Sequence, residues 1–156
     1  METTLVIIKP DAVQRRLIGE IVARFERRGL FLRGMKFTQL ARSLVEKHYE
    51  VHHGKHFFEP LVAFMASGPV VVAALSGQKA ISVVRAMLGA TACAESAPGS
   101  LRGDYGLSNR FNLVHASDSI EAAERELKLF FAPHELLDWT PDDYRWVIDH
   151  SCGTPV

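Results

Sequence analysis

The residues best able to do chemistry lie in one stretch, which reads Asn112-Leu113-Val114-His115-Ala116-Ser117-Asp118-Ser119. A short apolar run brings His115 to the end of a predicted strand, and small hydroxyl and carboxylate residues follow it. Imidazole has an unperturbed pKa close to neutrality, so much of it is unprotonated and has a free lone pair. The stretch is therefore a candidate site for a histidine nucleophile. On this stretch alone, an ordinary surface histidine at a strand end is an open alternative.

Two other stretches carry residues suited to phosphate chemistry. Residues 7–15 hold a strand-ending lysine followed by Pro-Asp, and residues 101–105 contain an Arg-Gly-Asp loop. Together with the pattern Asn-x-x-His-x-Ser-Asp-Ser, these motifs resemble the signatures of nucleoside diphosphate kinases. The resemblance runs from Leu5 through Leu137, with a weaker echo from Tyr144 to Val147, so it covers nearly the whole chain.

The resemblance implies an enzyme, a phosphotransferase that moves the γ-phosphoryl group of a nucleoside triphosphate such as ATP to a nucleoside diphosphate. The reaction would be ping-pong, with a covalent phosphohistidine at His115 as its intermediate. Glu126 would orient His115, Ser117 would complete that arrangement, and Lys9 would meet the phosphates and the ribose. A carboxylate on one ring nitrogen sets the tautomer and leaves the other nitrogen free to attack. Which of the two nitrogens attacks is left open by the sequence.

The same resemblance implies a nucleotide-binding set around this histidine. Phe57 would stack on the nucleobase, which predicts broad base tolerance because every base presents a ring face. Two arginines would bind phosphate, for which a guanidinium is better shaped than an ammonium. The full set is Lys9, Tyr49, Phe57, Leu61, Arg85, Thr91, Arg102 and Asn112. Without the resemblance, its charged members would be read as surface residues, and Phe57 and Leu61 equally well as core residues.

Magnesium is the cofactor that the resemblance implies. This ion is usually held by substrate phosphates and water with few protein carboxylates, so we expect no dense carboxylate cage around it. Asp118 would at most touch its hydration shell. Asp118 also has a second, compatible interpretation as the cap of the following helix, with Glu121 three positions later.

Four residues depart from the pattern that is common in the family. Ala12 and Ala116 stand where glycine is common, and a methyl group would crowd the site if that backbone needed positive φ. Val51 stands where many members have an acidic residue, and Cys93 where a loop proline is common. The departure at Val51 concerns the outer coordination shell of the metal ion, and the departure at Cys93 concerns the assembly of subunits. None of the four removes a residue with an implied catalytic role.

Hydrophobic patterning predicts the elements that must position these residues. The apolar run of residues 5–8 is typical of a strand that is buried on both faces. The four predicted strands are Thr3 to Lys9, Leu30 to Leu40, Val70 to Leu75 and Phe111 to His115. The predicted helices lie around Ile18 to Phe25, after a capping box at Ser43 to Glu46, and around Phe58 to Met65, Ile81 to Leu88 and Ala123 to Phe131. Residues 90–109 have no period and read as a long active-site loop.

The order of these elements predicts the fold class. Four strands with crossover helices fit an α+β, ferredoxin-like sandwich, in which helices cover one face of a four-stranded antiparallel sheet. A helical hairpin and the long active-site loop are added to that plan. We expect the whole chain, residues 1–156, to form a single nucleoside diphosphate kinase-like domain, since this length suits one hydrophobic core.

Composition bounds the location and the partners of the chain. The 18 basic residues balance the 18 acidic ones, which argues against a protein that binds nucleic acid through its whole surface. The two cysteines have no CxxC spacing, and no secretory segment or membrane-spanning apolar run occurs. We therefore expect a cytoplasmic protein with no membrane partner and no requirement for nucleic acid. The family resemblance implies a homo-oligomer, a tetramer or a hexamer.

Three other functions are open at this point. The first is a non-catalytic binding module, because a ferredoxin-like fold hosts many functions. The second is a metal protein built on His48, His52 and His56, although Gly54 interrupts their possible helix and no cysteine or carboxylate completes the site. Nucleic-acid binding is the third and is compatible with the enzyme. Neither a P-loop nor a GxGxxG motif occurs, so any nucleotide site must be of another kind.

Overall fold

A four-stranded antiparallel sheet lies at the centre of the computed structural model, which describes residues 1–149. Its strands are β1 (Glu2–Ile8), β2 (Phe31–Gln39), β3 (Pro69–Gly77) and β4 (Val114–Ala116). They lie in the order β2-β3-β1-β4, and each neighbouring pair is antiparallel. The predicted α+β, ferredoxin-like class with a four-stranded antiparallel sheet is confirmed.

Seven α-helices connect and flank the strands within residues 1–149. They are α1 (Pro10–Gln14), α2 (Ile18–Arg27), α3 (Arg42–His48), α4 (Phe58–Ala66), α5 (Ala80–Leu88), α6 (Leu101–Tyr105) and α7 (Ile120–Phe130). The pair α3 and α4 forms the predicted helical hairpin. The short helices α1 and α6 were not predicted, because each is only five residues long and shows no full period. Over the described range, every helix is too short or too polar to cross a bilayer.

Helices cover both faces of the sheet. On one face, Val6 and Ile8 of β1 pack with buried residues of α2 and α5, such as Phe25 and Leu88. On the other face, Leu5 and Ile7 pack in a second cluster, whose helical members are Val45, Phe58, Val62, Met65 and Phe130. The expectation that only one face is covered is therefore wrong. The coverage of both faces explains the unbroken apolar run of β1, since successive strand residues point to opposite faces and all residues of the run are buried.

Two helices begin differently from the sequence prediction. Helix α3 begins at Arg42 after Ala41, with no side-chain cap, so the predicted capping box at Ser43 is wrong. Ser43 already lies in the first turn, where its hydroxyl cannot act as the N-cap. Helix α7 is capped by Ser119, whose Oγ accepts the Ala122 N–H at 3.1 Å. Asp118 is therefore not the cap, and its exposed carboxylate is left free for another role.

The long loop between α5 and β4 is more ordered than its composition predicted. Residues Cys93–Glu95 form a 3-10 turn, and Ser100 caps α6 by accepting the Gly103 N–H at 3.1 Å. A side chain at Gly103 would meet the Ala97 carbonyl oxygen at 2.0 Å, so only glycine fits there. This close backbone contact keeps the loop compact, and its residues Thr91 and Arg102 line a pocket.

Candidate active site

The sheet, the helical hairpin and the long loop enclose one pocket of about 700 Å³. Nearly all residues with a predicted role line it, namely Lys9, Tyr49, Phe57, Leu61, Arg85, Thr91, Arg102, Asn112, His115, Asp118 and Glu126. Ser117 does not line the pocket but lies behind it, bonded to Glu126. Residues far apart in the sequence are thus brought together around one histidine.

His115 is the central residue of β4 and pairs with Ile7 of β1. Its side chain is 20% exposed, and its Nε2 lies 3.3 Å from the Glu126 carboxylate. A carboxylate accepts hydrogen bonds and donates none, so this contact favours the tautomer with the proton on Nε2. The lone pair of Nδ1 is free in that tautomer.

Ser117 and Glu126 form a fixed backing for that histidine. The Ser117 hydroxyl accepts the Leu5 N–H at 3.2 Å and donates to the Glu126 carboxylate at 2.7 Å. Glu126 is buried, and burial alone would raise its pKa. The bonds from His115 and Ser117 outweigh burial and hold the pKa of Glu126 below its usual value. The carboxylate is therefore charged at neutral pH and can stabilise positive charge on His115.

His48 is a further residue of this centre, and the sequence analysis did not place it here. Its ring lies edge-on to His115 with centroids 4.6 Å apart, and its Nδ1 is 3.9 Å from Glu126. Burial, reinforced by the nearby His115, lowers the pKa of His48 to about 3, so the ring is neutral. The available signal was its position directly before Tyr49 at the end of a helix with an apolar face. Periodicity alone would read such a residue as part of the core.

Lys9 and Arg102 are two buried cations that line the same pocket as His115. The Lys9 ammonium donates to Asn112 Oδ1 at 2.6 Å, and burial together with Arg102 lowers the pKa of Lys9 to about 8. Arg102 donates to the backbone carbonyls of Gly89, Asn112 and Val114, so it also holds the loop to the strand. Burial, then repulsion from Arg85, lowers the pKa of Arg102. The charges repel one another, which favours an anion between them.

Arg85 and Thr91 differ from these buried groups because they are exposed at the pocket wall. The Arg85 side chain has no hydrogen-bond partner within residues 1–149, so its donors are available to a ligand. The Thr91 carbonyl oxygen accepts a long bond of 3.5 Å from the Asn112 side chain. Asn112 thereby links the loop to Lys9.

An unusual turn lies immediately before β4, two residues ahead of His115. Leu113 is buried with φ +72, and the Val114 N–H closes a tight turn onto the Asn112 carbonyl at 2.8 Å. Asp11 accepts the Leu113 N–H at 3.1 Å, and the Lys9 N–H donates to the Leu113 carbonyl at 2.8 Å. The predicted strand from Phe111 to His115 is therefore wrong at its start, because positive φ interrupts the extended backbone. Burial raises the pKa of the Asp11 carboxyl.

The mouth of the pocket is aromatic and basic. Phe57 is 38% exposed, and the rings of His52 and His56 approach it edge-on at 5.3 and 5.5 Å. Lys55 lies over the Phe57 ring at 5.7 Å from its centroid. The alternative metal site of three histidines is not formed, since His48 lies deep beside His115 while the other two surround Phe57.

The four departures from the family pattern leave this arrangement intact. Ala12 lies in α1 and Ala116 in β4, and neither has positive φ, so their methyl groups cause no backbone strain. Val51 is exposed at the pocket wall. Cys93 is a buried free thiol whose Sγ donates to the Ser108 carbonyl at 3.3 Å.

Comparison with known proteins identifies the family of this chain. The family model described as "Nucleoside diphosphate kinase" matches residues 2–136. The chain is 49% identical over 149 residues to a nucleoside diphosphate kinase of Archaeoglobus fulgidus, covering 96% of this chain and 99% of the relative. The chain belongs to the nucleoside diphosphate kinase family. A Pyrococcus furiosus member is 54% identical over 142 residues, covering 89% of this chain and 88% of the relative.

Solved structures of the family have the same fold as this member. A Halobacterium salinarum nucleoside diphosphate kinase in complex with CDP matches with a TM-score of 0.92 and 47% identity, over 94% of this chain and 97% of the other. A Babesia bovis nucleoside diphosphate kinase family protein matches with a TM-score of 0.91 and 44% identity, over 94% and 99%. The predicted family and the predicted function as a nucleoside diphosphate kinase, a phosphotransferase, are confirmed.

Proposed function

We propose that this nucleoside diphosphate kinase works by ping-pong transfer through a phosphohistidine on Nδ1 of His115. The observation that carries the proposal is the contact of His115 Nε2 with the buried Glu126 carboxylate, which leaves Nδ1 free in a pocket lined by cations. In the first half-reaction the Nδ1 lone pair forms a bond to the γ-phosphorus while the bond to the β-phosphate oxygen breaks. The nucleoside diphosphate departs, and a second diphosphate reverses these steps.

The cations and Glu126 have separate tasks in that transfer. Lys9, Arg85 and Arg102 neutralise charge on the phosphoryl oxygens, and their mutual repulsion is relieved when the anion binds. The Nε2 proton of His115 stays on the ring throughout. Glu126 stabilises the positive charge that develops on the imidazole as the nitrogen–phosphorus bond forms, so its effect is larger in the transition state than in the ground state.

The remaining contacts bind the nucleoside. Phe57, exposed at the mouth, stacks on the base, and Leu61 beside it supplies apolar contact. Stacking accepts every base, which supports the predicted base tolerance. Tyr49 has a buried hydroxyl without a partner within residues 1–149, and it is available to hydrogen-bond a phosphate. Asn112 and Thr91 bind the sugar and the phosphates.

The acidic residues of this pocket suit magnesium that is carried by nucleotide phosphates. Of the acidic residues that line it, Glu126 is engaged with His115 and Ser117, and only Asp118 is free. One exposed carboxylate cannot hold an ion by itself, which suits an ion brought in by nucleotide phosphates and water. When bound, magnesium would neutralise phosphate charge, and Asp118 would contact its hydration shell.

Assembly and location follow from other features. Strand β2 has a neighbour on one side only and exposes Met35 and Phe37, which are 53% and 63% accessible. An apolar edge strand favours pairing with another copy, which supports a homo-oligomer, a tetramer or hexamer. We also propose a single domain in the cytoplasm with no membrane partner and no requirement for nucleic acid, and the buried free thiol of Cys93 supports the reducing compartment. Light scattering that finds only the 17.4 kDa chain would contradict the oligomer.

The nucleophile is tested by labelling. Magnesium and γ-labelled ATP should label the wild-type chain with an acid-labile, base-stable phosphate, and any nucleoside diphosphate should discharge it to the triphosphate. His115→Ala should take no label, whereas a His134→Ala control, which changes an exposed histidine outside the pocket, should label normally. A wild-type chain that takes no label would refute the phosphohistidine, and equal labelling of the His115→Ala variant would assign the phosphoryl group to another residue.

A further inference from the structure

His48, His115 and Glu126 bring two imidazoles and a carboxylate into one cluster at the base of the pocket. One ligand atom from each lies within 4.8 Å of the other two. The Glu126 carboxylate is 3.3 Å from His115 Nε2 and 3.9 Å from His48 Nδ1. Tetrahedral zinc with bonds of about 2.0–2.1 Å places neighbouring ligand atoms about 3.4 Å apart. The separation of His115 Nε2 from Glu126 is near that value, the separation of His48 Nδ1 from Glu126 is about 0.5 Å longer, and the two imidazoles are within 4.8 Å of each other.

The buried state of His48 points to a missing partner. Its side chain is 2% exposed, and neither ring nitrogen has a hydrogen bond within the part of the chain that is described. Buried polar groups are nearly always paired, so an unpaired imidazole beside a carboxylate calls for an explanation such as an ion. A neutral imidazole always has one nitrogen with a free lone pair. The cluster therefore offers three donors, of which one has no other use in the structure.

The donor set selects a class of ion. Two histidines and a glutamate with one open position form a familiar zinc arrangement, and the open side here faces the pocket, where water can bind. Imidazole nitrogens favour zinc and copper among divalent ions. Magnesium prefers oxygen ligands in octahedral geometry and is reluctant to lose its water. Magnesium that arrives with a nucleotide therefore does not compete well for this cluster.

We propose that His48, His115 and Glu126 form a binding site for Zn²⁺ or a similar transition-metal ion, and that its occupation blocks phosphorylation of His115. Zinc on Nε2 of His115 takes the lone pair at that nitrogen, so the ring proton must lie on Nδ1. Nδ1 then has no lone pair with which to attack phosphorus. The inhibition of phosphorylation depends on the proposed function of His115 as the nucleophile, whereas the binding of the metal ion does not.

The site is tested first by binding, without any turnover. Metal-free protein is dialysed against zinc chloride, and bound zinc is measured against protein. The wild type should hold about one zinc per chain, and removing a ligand in His48→Gln or Glu126→Gln should weaken binding at least about tenfold. His52→Asn is the matched control, because it removes a pocket histidine that lies outside the cluster. Zinc should raise the melting temperature of the wild type and of the control, and of neither cluster variant.

The block is tested on the same preparations. Zinc-loaded wild type is freed of unbound zinc, then given magnesium and γ-labelled ATP, and should take far less label than zinc-free wild type. Tight zinc binding that survives both cluster variants, or that is lost in His52→Asn, would overturn the site. Full labelling of the zinc-loaded wild type would overturn the block. Zinc-free wild type that takes no label would instead refute the proposed nucleophile, and the binding measurement would stand apart from that result.

Discussion

Replacing Glu126 by Gln should slow phosphorylation of His115 and change nucleotide affinity little. A carboxylate can only accept, so it holds the proton on Nε2 of His115, which it contacts at 3.3 Å. A glutamine amide can also donate to Nε2, and the tautomer with a free Nδ1 is then no longer enforced. The substitution thus removes both a tautomer control and a charge, while the volume of the side chain stays nearly the same.

The size of the effect can be bounded from the geometry. Two unit charges at 3.3 Å interact by about 5 kcal/mol at an effective dielectric constant near 20. Only part of a charge develops on the ring in the transition state, and the amide keeps a dipole. We therefore expect a loss of about 1.4–2.7 kcal/mol of barrier stabilisation, or roughly 10–100-fold in rate. The bond from Ser117 to Glu126 can be replaced by a bond to the amide, so the fold should survive.

The assay is single-turnover labelling with quenched flow, alongside equilibrium binding of a nucleoside diphosphate and a thermal melt. Ser117→Ala is the comparison variant, because it keeps the carboxylate and removes only one of its bonds. Its rate should fall less than that of Glu126→Gln. A Glu126→Gln variant that melts much earlier yet labels at the wild-type rate per folded molecule would refute the orienting role and make Glu126 structural.

Three further expectations concern the phosphates and the base. Because burial, then Arg102, lowers the pKa of Lys9 to about 8, its positive charge is present below that pH and lost above it, so kcat/KM should fall above pH 8. Bound phosphate raises the pKa of Lys9 again, so kcat should stay level to a higher pH than kcat/KM does. Equal pH profiles of kcat and kcat/KM would contradict this expectation. Arg85→Ala should weaken phosphate binding and leave the melting temperature unchanged. Arg102→Ala should weaken phosphate binding and also lower the melting temperature, since only Arg102 donates to backbone carbonyls. Equal melting temperatures of the two variants would contradict this structural role of Arg102. Phe57→Ala should weaken binding of every nucleotide by about 1–3 kcal/mol, unlike a Phe111→Ala control outside the pocket, and a loss limited to purines would show base-edge recognition.

The sequence by itself determined the family, the strand order along the chain and most of the pocket. Short motifs sufficed because phosphoryl transfer needs particular residue types next to strand ends, and such patterns are local in the chain. The buried strand of residues 5–8 and the apolar stripes of the longer helices were readable for the same reason. These signals depend on periodicity within one element and need no knowledge of its neighbours.

Only the tertiary structure decided which groups meet. His48 and Glu126 are separated by half of the chain, and their approach to His115 depends on packing between the helical hairpin and α7. The left-handed turn at Leu113 depends on Asp11, which lies 102 positions away and accepts its N–H. Leucine gives no local signal for positive φ, because the cost of that conformation is offset by a distant hydrogen bond. The tautomer of His115 also depends on packing, since the contact between β4 and α7 that joins His115 to Glu126 favours a free Nδ1.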